Sequence, residues 1–162
     1  KTKENRKIDN KAEKELMNKI NIEIQHKNKY FKLSKKILIL NIKKILEILD
    51  LNNCELNVYI VSDNFIQKLN VEYRNKNKPT DVLSFSINEK NPETGKILLG
   101  ELLLAIDTII NQAQEYNITP SEEFFRMITH GILHLIGMTH ENANKKRKMT
   151  LKTNEILRCL NF

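Results

Sequence analysis

Residues 130–140 read HGILHLIGMTH and decide how this end of the chain must fold. His130 and His134 are four residues apart, so on an α-helix their imidazoles lie one turn apart and about 40° apart around the axis. Gly137 follows where a helix end commonly takes a left-handed residue, and the chain can then turn sharply. The stretch therefore predicts a helix that ends just before Gly137 and a turn that brings His140 back toward the other two histidines.

The three imidazoles form a ligand set that suits a borderline metal ion such as Zn²⁺. A single histidine on an apolar helix is more often an ordinary core residue, but here three of the chain's four histidines fall within eleven residues. Three protein ligands leave a fourth coordination position for water, which is typical of catalytic rather than structural zinc. We therefore predict one Zn²⁺ per chain, held by His130, His134 and His140 for hydrolytic chemistry. His26, outside the group, is predicted to be a surface residue.

Two other interpretations of this spacing stay open. It is also the spacing of metzincin peptidases, but those enzymes carry a glutamate directly after the first histidine as general base. Gly131 stands at that position, so a peptidase would need a base from elsewhere. Alternatively, the chain is a binding module whose metal is structural. That interpretation requires a fourth protein ligand, for which Cys54, Cys159 and Glu101 are the candidates.

Around this stretch, hydrophobic periodicity predicts a single α+β domain with about four strands and about five helices. The predicted helices begin at residues that commonly cap helices, Ser34, Ser62, Asp107 and Thr119. The predicted strands are residues 21–25, 55–61, 82–87 and 97–106, and the predicted helices are residues 33–49, 62–73, 107–116, 119–136 and 143–160. Residues 91–95, with Pro92 and Gly95, are predicted to connect two strands.

The composition limits the class of protein. No apolar run reaches the roughly 18 residues of a membrane span, and no secretory signal is visible, so no membrane partner is expected. The two cysteines are accordingly predicted to be reduced core residues. Residues 1–16 are predicted to be a polar, basic lead, a tag or a disordered extension, ahead of a domain over residues 17–162.

The net charge of +7 is carried by the first part of the chain. Residues 1–50 hold 14 Lys or Arg against 7 Asp or Glu. An excess of this kind favours polyanionic partners such as nucleic acid. It is equally typical of a proteome in which Lys and Asn are abundant, and both interpretations stay open.

Two further segments connect the sequence to a known family. Residues 73–86 read YRNKNKPTDVLSFS and residues 100–102 read GEL. With residues 130–140, they resemble the motifs YRxxxxPTDVLSFP, GDI and HGxLHLxGYDH of the YbeY family of metallo-endoribonucleases. The resemblance runs in this order over about residues 22–157. The departures from the family pattern are Ser86 for Pro, Glu101 for Asp, and Met138 and Thr139 for Tyr and Asp.

The resemblance implies a mostly parallel sheet with helices on its faces and a metal in a cleft. It implies a zinc-dependent endoribonuclease that cleaves single-stranded RNA, matures the 3′ end of small-subunit (16S-type) ribosomal RNA and acts in ribosome quality control. The implied partners are ribosomal RNA and the small ribosomal subunit, in the cytoplasm or in an organelle. With these partners, the alternative binding module would be a ribosome-associated zinc-binding module. Thr139 removes a carboxylate that could support the metal ligands, so a changed metal affinity is expected.

Arg74 lies in the basic loop of the second motif, and the family match favours a role on the scissile phosphate over that of an ordinary surface arginine. Its planar guanidinium can hold two phosphate oxygens at once. Lys76 and Lys78, in the same loop, are predicted to bind the RNA backbone. Thr80 and Asp81 either cap this loop or face the cleft, and capping is favoured.

Two other basic features have plain explanations. Arg126 lies one turn before the first ligand on the same helix face and is predicted to pair with Glu122 or Glu123. The run Lys145–Lys148 either tracks an RNA backbone or is a solvated charged face.

Overall fold

The computed structural model of the chain describes residues 17–162, so the predicted lead at residues 1–16 lies outside the described residues. Residues 17–162 form four strands and five helices, which confirms the predicted α+β class. In chain order the elements are β1 (Lys19–Ile24), α1 (Lys35–Ile48), β2 (Cys54–Val61), α2 (Asp63–Arg74), β3 (Val82–Lys90), β4 (Ile97–Ala105), α3 (Ile106–Glu115), α4 (Pro120–Leu135) and α5 (Ala143–Cys159).

The four strands form one sheet in the order β1-β2-β4-β3. β1 pairs with β2 and β2 with β4 in parallel, while β3 pairs with β4 in antiparallel fashion. The turn between β3 and β4 is closed by two backbone hydrogen bonds, from Asn91 N–H to the Lys96 carbonyl and from Gly95 N–H to the Asn91 carbonyl, each 2.8 Å. The sheet is therefore mostly parallel, with an antiparallel hairpin at one edge.

The helices cover the sheet unequally. The larger apolar cluster joins α1, α3, α4 and α5 to one face of the sheet, through residues such as Leu102 and Leu104 of β4. Side chains alternate along a strand, so Leu103 and Ala105 point to the opposite face, where they pack with Ile66 of α2. The two faces therefore place α2 and α4 on opposite sides of the hairpin.

Three helix starts are capped as predicted. The hydroxyls of Ser34, Ser62 and Thr119 each accept a hydrogen bond from the backbone N–H three residues later. Each of these bonds satisfies one of the unpaired donors of a first helical turn. Because such caps depend on the sequence of a single turn, sequence patterns identify them well.

The predicted cap at Asp107 is wrong, and His26 lies beside Asp107 with 38% of its side chain exposed. Helix α3 begins at Ile106 after Ala105, so Asp107 lies inside the first turn, where the N–H of Thr108 donates to the carboxylate of Asp63 at 3.2 Å. The Asp107 carboxylate instead lies 2.8 Å from His26 Nε2 and accepts a 2.6 Å hydrogen bond from the side chain of Asn28. His26 is half-buried, because the chain leaving β1 passes beside the start of α3.

The two cysteines differ. Cys54 is buried as predicted, its thiol donates to the side-chain oxygen of Asn18 at 3.2 Å, and burial raises its pKa to about 11. The prediction that Cys159 lies in the core is wrong, because this residue is exposed at the end of α5. Within residues 17–162, no helix is long and apolar enough to cross a membrane.

Candidate metal centre

Helix α4 carries the first two histidines of the centre. Its apolar face, which includes Phe124, Phe125, Ile128 and Ile132, is fully or almost fully buried and fixes the helix against the sheet. His130 and His134 occupy a neighbouring face and are only partly buried. The packing of α4 therefore sets the direction in which both imidazoles point.

The turn after α4 brings in the third histidine. Gly137 has a φ of +88°, the left-handed conformation expected after a helix. Its N–H donates to the His134 carbonyl, and the N–H of Met138 donates to the Leu133 carbonyl, each at 2.9 Å. These bonds satisfy the last carbonyls of the helix and reverse the chain, so that His140 returns to the histidine face.

The three imidazoles converge as the spacing predicts. One ligand nitrogen from each of His130, His134 and His140 lies within 4.8 Å of the others. The Nε2 atoms of His130 and His134 are 3.0 Å apart. A group of this size can hold one metal ion. Among the residues that the structure describes, its ligands are three imidazoles.

The electrostatics of the site favour neutral imidazoles. Burial, followed by the neighbouring charges of His134 and His140, lowers the pKa of His130 to about 4, while Asp81 acts in the opposite direction. The pKa of His134 is also lowered, first by burial and then by His140. Since a metal is bound by deprotonated imidazole, nitrogens that stay unprotonated at neutral pH and face one another fit a divalent ion.

The candidate fourth ligands do not join this group. Within residues 17–162, the only group suited to a metal consists of the three histidines. Cys54 is bonded to Asn18, and the carboxylate of Glu101 lies 3.4 Å from the hydroxyl of Tyr59. Cys159 is exposed at the far end of α5.

A polar cleft of about 590 Å³ opens beside the histidines and includes most of the predicted site residues. Arg74, the last residue of α2, lines it, and Asn75 with a φ of 55° turns the following loop toward the histidines. Lys76 also lines the cleft. Lys78 is exposed outside the lining, and its carbonyl accepts a hydrogen bond from the side chain of Asn70. The full lining is Arg74, Lys76, Thr80, Asp81, Val82, Ser84, Ser86, His130, His134 and His140.

Asp81 both caps the loop and faces the cleft, two roles that the sequence presented as alternatives. One carboxylate oxygen accepts from the N–H of Val82 at 2.7 Å and lies 3.3 Å from the Thr80 hydroxyl, and the other accepts from Gln112 at 3.0 Å. The carboxylate raises the pKa of His130 against the larger effect of burial. This effect of Asp81 on the pKa of His130 depends on the pairing of β3 with β4. Local sequence does not reveal that pairing.

The position after the first histidine is tightly packed against the sheet. A Cβ atom at residue 131 would lie 2.7 Å from Cδ2 of Leu102, which is fully buried. The glycine thus lets α4 approach β4 closely. A glutamate here, as in the metzincin pattern, would require that contact to be rebuilt.

Comparison with known proteins finds similar chains. A family model described as "Endoribonuclease YbeY" matches residues 2–161. A protein named endoribonuclease YbeY from Aquifex aeolicus is 46% identical over 64% of this chain and 67% of its own length. Proteins of the same name from Persephonella marina and Borreliella afzelii are 39% and 40% identical, over 67% and 72% of this chain and 71% and 80% of their own lengths.

One solved structure supports the fold. The solution structure of TM1509 from Thermotoga maritima aligns with a TM-score of 0.58 at 28% identity. The alignment covers 85% of this chain and 86% of that one.

Proposed function

Because the chain belongs to the YbeY endoribonuclease family, we propose that it is a zinc-dependent endoribonuclease that cleaves single-stranded RNA. The family supports an endoribonuclease role, and the convergent histidines support a metal-dependent one. In this proposal the enzyme matures the 3′ end of small-subunit ribosomal RNA and acts in ribosome quality control. It works on the small subunit, in the compartment where that subunit is assembled, the cytoplasm or an organelle.

The observation that carries the proposal is the shared cleft. It brings Arg74 from α2 and three histidines from α4 and its following turn onto one surface, although at least 56 residues separate the arginine from the histidines in the sequence (from 74 to 130). A cation beside a three-histidine group is the arrangement that a phosphodiester needs, because negative charge grows on its non-bridging oxygens during cleavage.

His130, His134 and His140 would hold the ion. A bound zinc ion acts as a Lewis acid toward a phosphoryl oxygen and activates water near neutral pH. The protein's part is to keep the imidazoles of His130 and His134 neutral by burial, and to fix the directions of all three histidines through α4 and the turn at Gly137. Asp81, held by Val82 N–H and Gln112, offsets part of the effect of burial on His130.

Arg74 would bind the scissile phosphate. The guanidinium offers two parallel donors to two phosphate oxygens, which fixes the phosphate's orientation as well as its position. Lys76 adds positive charge to the same cleft. Lys78, exposed in the same loop, would contact the backbone of the RNA beyond the cleft.

The alternatives receive no comparable support. For a peptidase of the metzincin kind, the base position is Gly131, where a Cβ atom would lie 2.7 Å from Cδ2 of Leu102 and that side chain would have to shift. For a structural zinc module, a fourth protein ligand is needed, and the described residues supply three histidines only.

The experiment that tests the proposal compares two forms of one RNA. A labelled precursor carrying the 3′ end of small-subunit ribosomal RNA is incubated with the zinc-loaded protein, alone or annealed to a complementary strand. We expect cleavage of the single strand and at least tenfold slower cleavage of the duplex. Equal rates on both forms would refute single-strand specificity, and no cleavage of either would refute the nuclease assignment.

A further inference from the structure

A second concave surface, the α4–α5 groove, lies between these two helices and adjoins the cleft. His130 and His140 line both, so the groove begins at the histidines. Its volume is about 380 Å³, within the range of small-ligand sites. Unlike the cleft, the groove exposes mainly apolar surface, and its lining includes Met127 and, at its base, the almost fully buried Met149.

The guanidinium of Arg126 is held in place at this groove by contacts to its nitrogen atoms. Nη2 of Arg126 donates to Glu122 at 3.0 Å, Nη1 donates to Asn154 at 3.0 Å, and Nε lies 3.4 Å from the buried carboxylate of Glu123. The pairing with Glu122 and Glu123 is the one expected from the sequence. Each nitrogen of the guanidinium has a partner, so the guanidinium plane is fixed and its flat faces can meet a ligand. Such faces stack on aromatic rings.

The remaining lining is polar at the rim. The hydroxyls of Thr150 and Thr153 donate to the carbonyls of Lys146 and Met149, at 3.0 and 2.9 Å. Toward the groove they can therefore offer only oxygen lone pairs and methyl groups. The ammonium of Lys146 adds a positive charge. An apolar floor, a planar cation and a basic rim together suit a flat aromatic ring joined to an anion, which is the chemistry of a nucleotide.

We propose that the α4–α5 groove binds the nucleobase of a nucleotide next to the scissile phosphate. This inference rests on the proposed endoribonuclease function and assigns a binding site to the substrate. With its phosphate at the histidines, a neighbouring base reaches the groove without crossing other surface, since His130 and His140 line both. The base lies against the two methionines, whose sulfur atoms favour contact with aromatic rings, and against the face of Arg126.

The groove would also explain a preference for single strands. A base can lie between methionine and arginine side chains only if it is unstacked and unpaired. A duplex would have to break a base pair to fill the site. The groove therefore makes binding depend on single-strandedness.

The first experiment uses the unmodified, zinc-loaded protein. A single-stranded RNA with one cleavage site is prepared as a series in which each nucleotide near that site in turn carries an abasic ribose. We expect kcat/KM to fall about five- to tenfold for one position adjacent to the scissile phosphate, the effect of one or two base contacts of this type. Losses under twofold at every position would overturn the proposal. No cleavage of the intact RNA would instead show that the proposed function fails.

The second experiment fills the groove. Thr150 lines it and is exposed, so Thr150→Trp occupies the space with little effect on the core. Leu151→Trp is the matched control, because Leu151 is the next residue of α5, is 58% exposed and does not line the groove. Both variants keep the charge of the protein, and zinc content is measured for each.

The abasic RNA position and the Thr150→Trp substitution together form a double-mutant cycle. Thr150→Trp should lower kcat/KM on intact RNA about five- to tenfold and remove the penalty of the abasic position, because both changes eliminate the same contact. Leu151→Trp should retain both the rate and the penalty. A zinc-loaded Thr150→Trp variant that still shows the full abasic penalty would place the base elsewhere. If that variant does not fold, the abasic series decides alone.

Discussion

Replacing Gly131 with alanine tests how closely α4 must approach the sheet. The new Cβ would lie 2.7 and 3.3 Å from the two methyl carbons of Leu102 and 3.4 Å from Cγ2 of Val82. Ordinary contacts between carbon atoms are about 3.5–4.0 Å. Leu102 is fully buried, so it has little space in which to move away. The substitution therefore overfills the contact that holds the histidine helix in place.

The expected magnitude is a balance of two terms. Adding a methyl group to a packed core costs about 1–3 kcal/mol. Alanine is favoured over glycine inside a helix by about 0.8–1.0 kcal/mol. The net loss for Gly131→Ala is therefore about 1 kcal/mol in the free energy of unfolding, equivalent to about 2–4 °C in Tm for a chain of this size.

The assay is thermal or urea denaturation at a fixed zinc concentration, because bound metal raises the apparent stability. Leu102→Ala provides the control. Alone it should lower the free energy of unfolding by about 2–5 kcal/mol, because it leaves a cavity in the core. Combined with Gly131→Ala it should cost at least about 0.5 kcal/mol less than the sum of the two. A Gly131→Ala protein more stable than wild type, or strictly additive losses, would refute the argument from close packing.

Three further predictions concern the site and its surroundings. Arg74→Ala should keep its zinc but lower kcat/KM on single-stranded RNA about 10²- to 10³-fold, as expected for the loss of a donor to developing charge. Arg74→Lys should restore only part of the rate, because lysine cannot bind bidentately. Unchanged cleavage by Arg74→Ala would remove Arg74 from the mechanism. Burial raises the pKa of Glu123 from 4.5 to about 7, so its protonated form stabilises the fold fully below pH 4.5 and that contribution is lost as the pH rises through 7. In urea denaturation between pH 4.5 and 8, the free energy of unfolding of wild type should thus fall by up to about 3 kcal/mol relative to that of Glu123→Gln. Parallel dependence of the two free energies on pH would contradict this. Zinc at a hundred times its Kd should raise the free energy of unfolding by about 2.7 kcal/mol, and His140→Ala should abolish most of this gain; an equal gain in the variant would show that zinc binds elsewhere.

The sequence predicted well what is determined locally. The caps at Ser34, Ser62 and Thr119 depend on one helical turn each, and the glycine turn at Gly137 depends on one backbone angle. The convergence of the histidines follows from helical spacing and that turn. The strands were located to within a few residues because apolar runs and turn residues mark them.

Contacts between distant segments account for the errors. Asp107 was interpreted as a cap because its partners, His26 and Asn28, lie about 80 residues away in the sequence. The exposure of Cys159 depends on which face of α5 meets α4, and the sequence of α5 alone leaves that undecided. The α4–α5 groove depends on that same packing. Motif comparison, by contrast, placed Arg74 near the histidines, which no local pattern could do.

The central claim is that the three-histidine group holds the metal that RNA cleavage requires. The most direct measurement is the cleavage rate of a labelled single-stranded RNA by wild type and by His134→Ala, with zinc content determined on the same samples. We expect about one zinc per wild-type chain with cleavage, and loss of both zinc and cleavage in the variant. Cleavage at the wild-type rate by a zinc-free His134→Ala protein would contradict it.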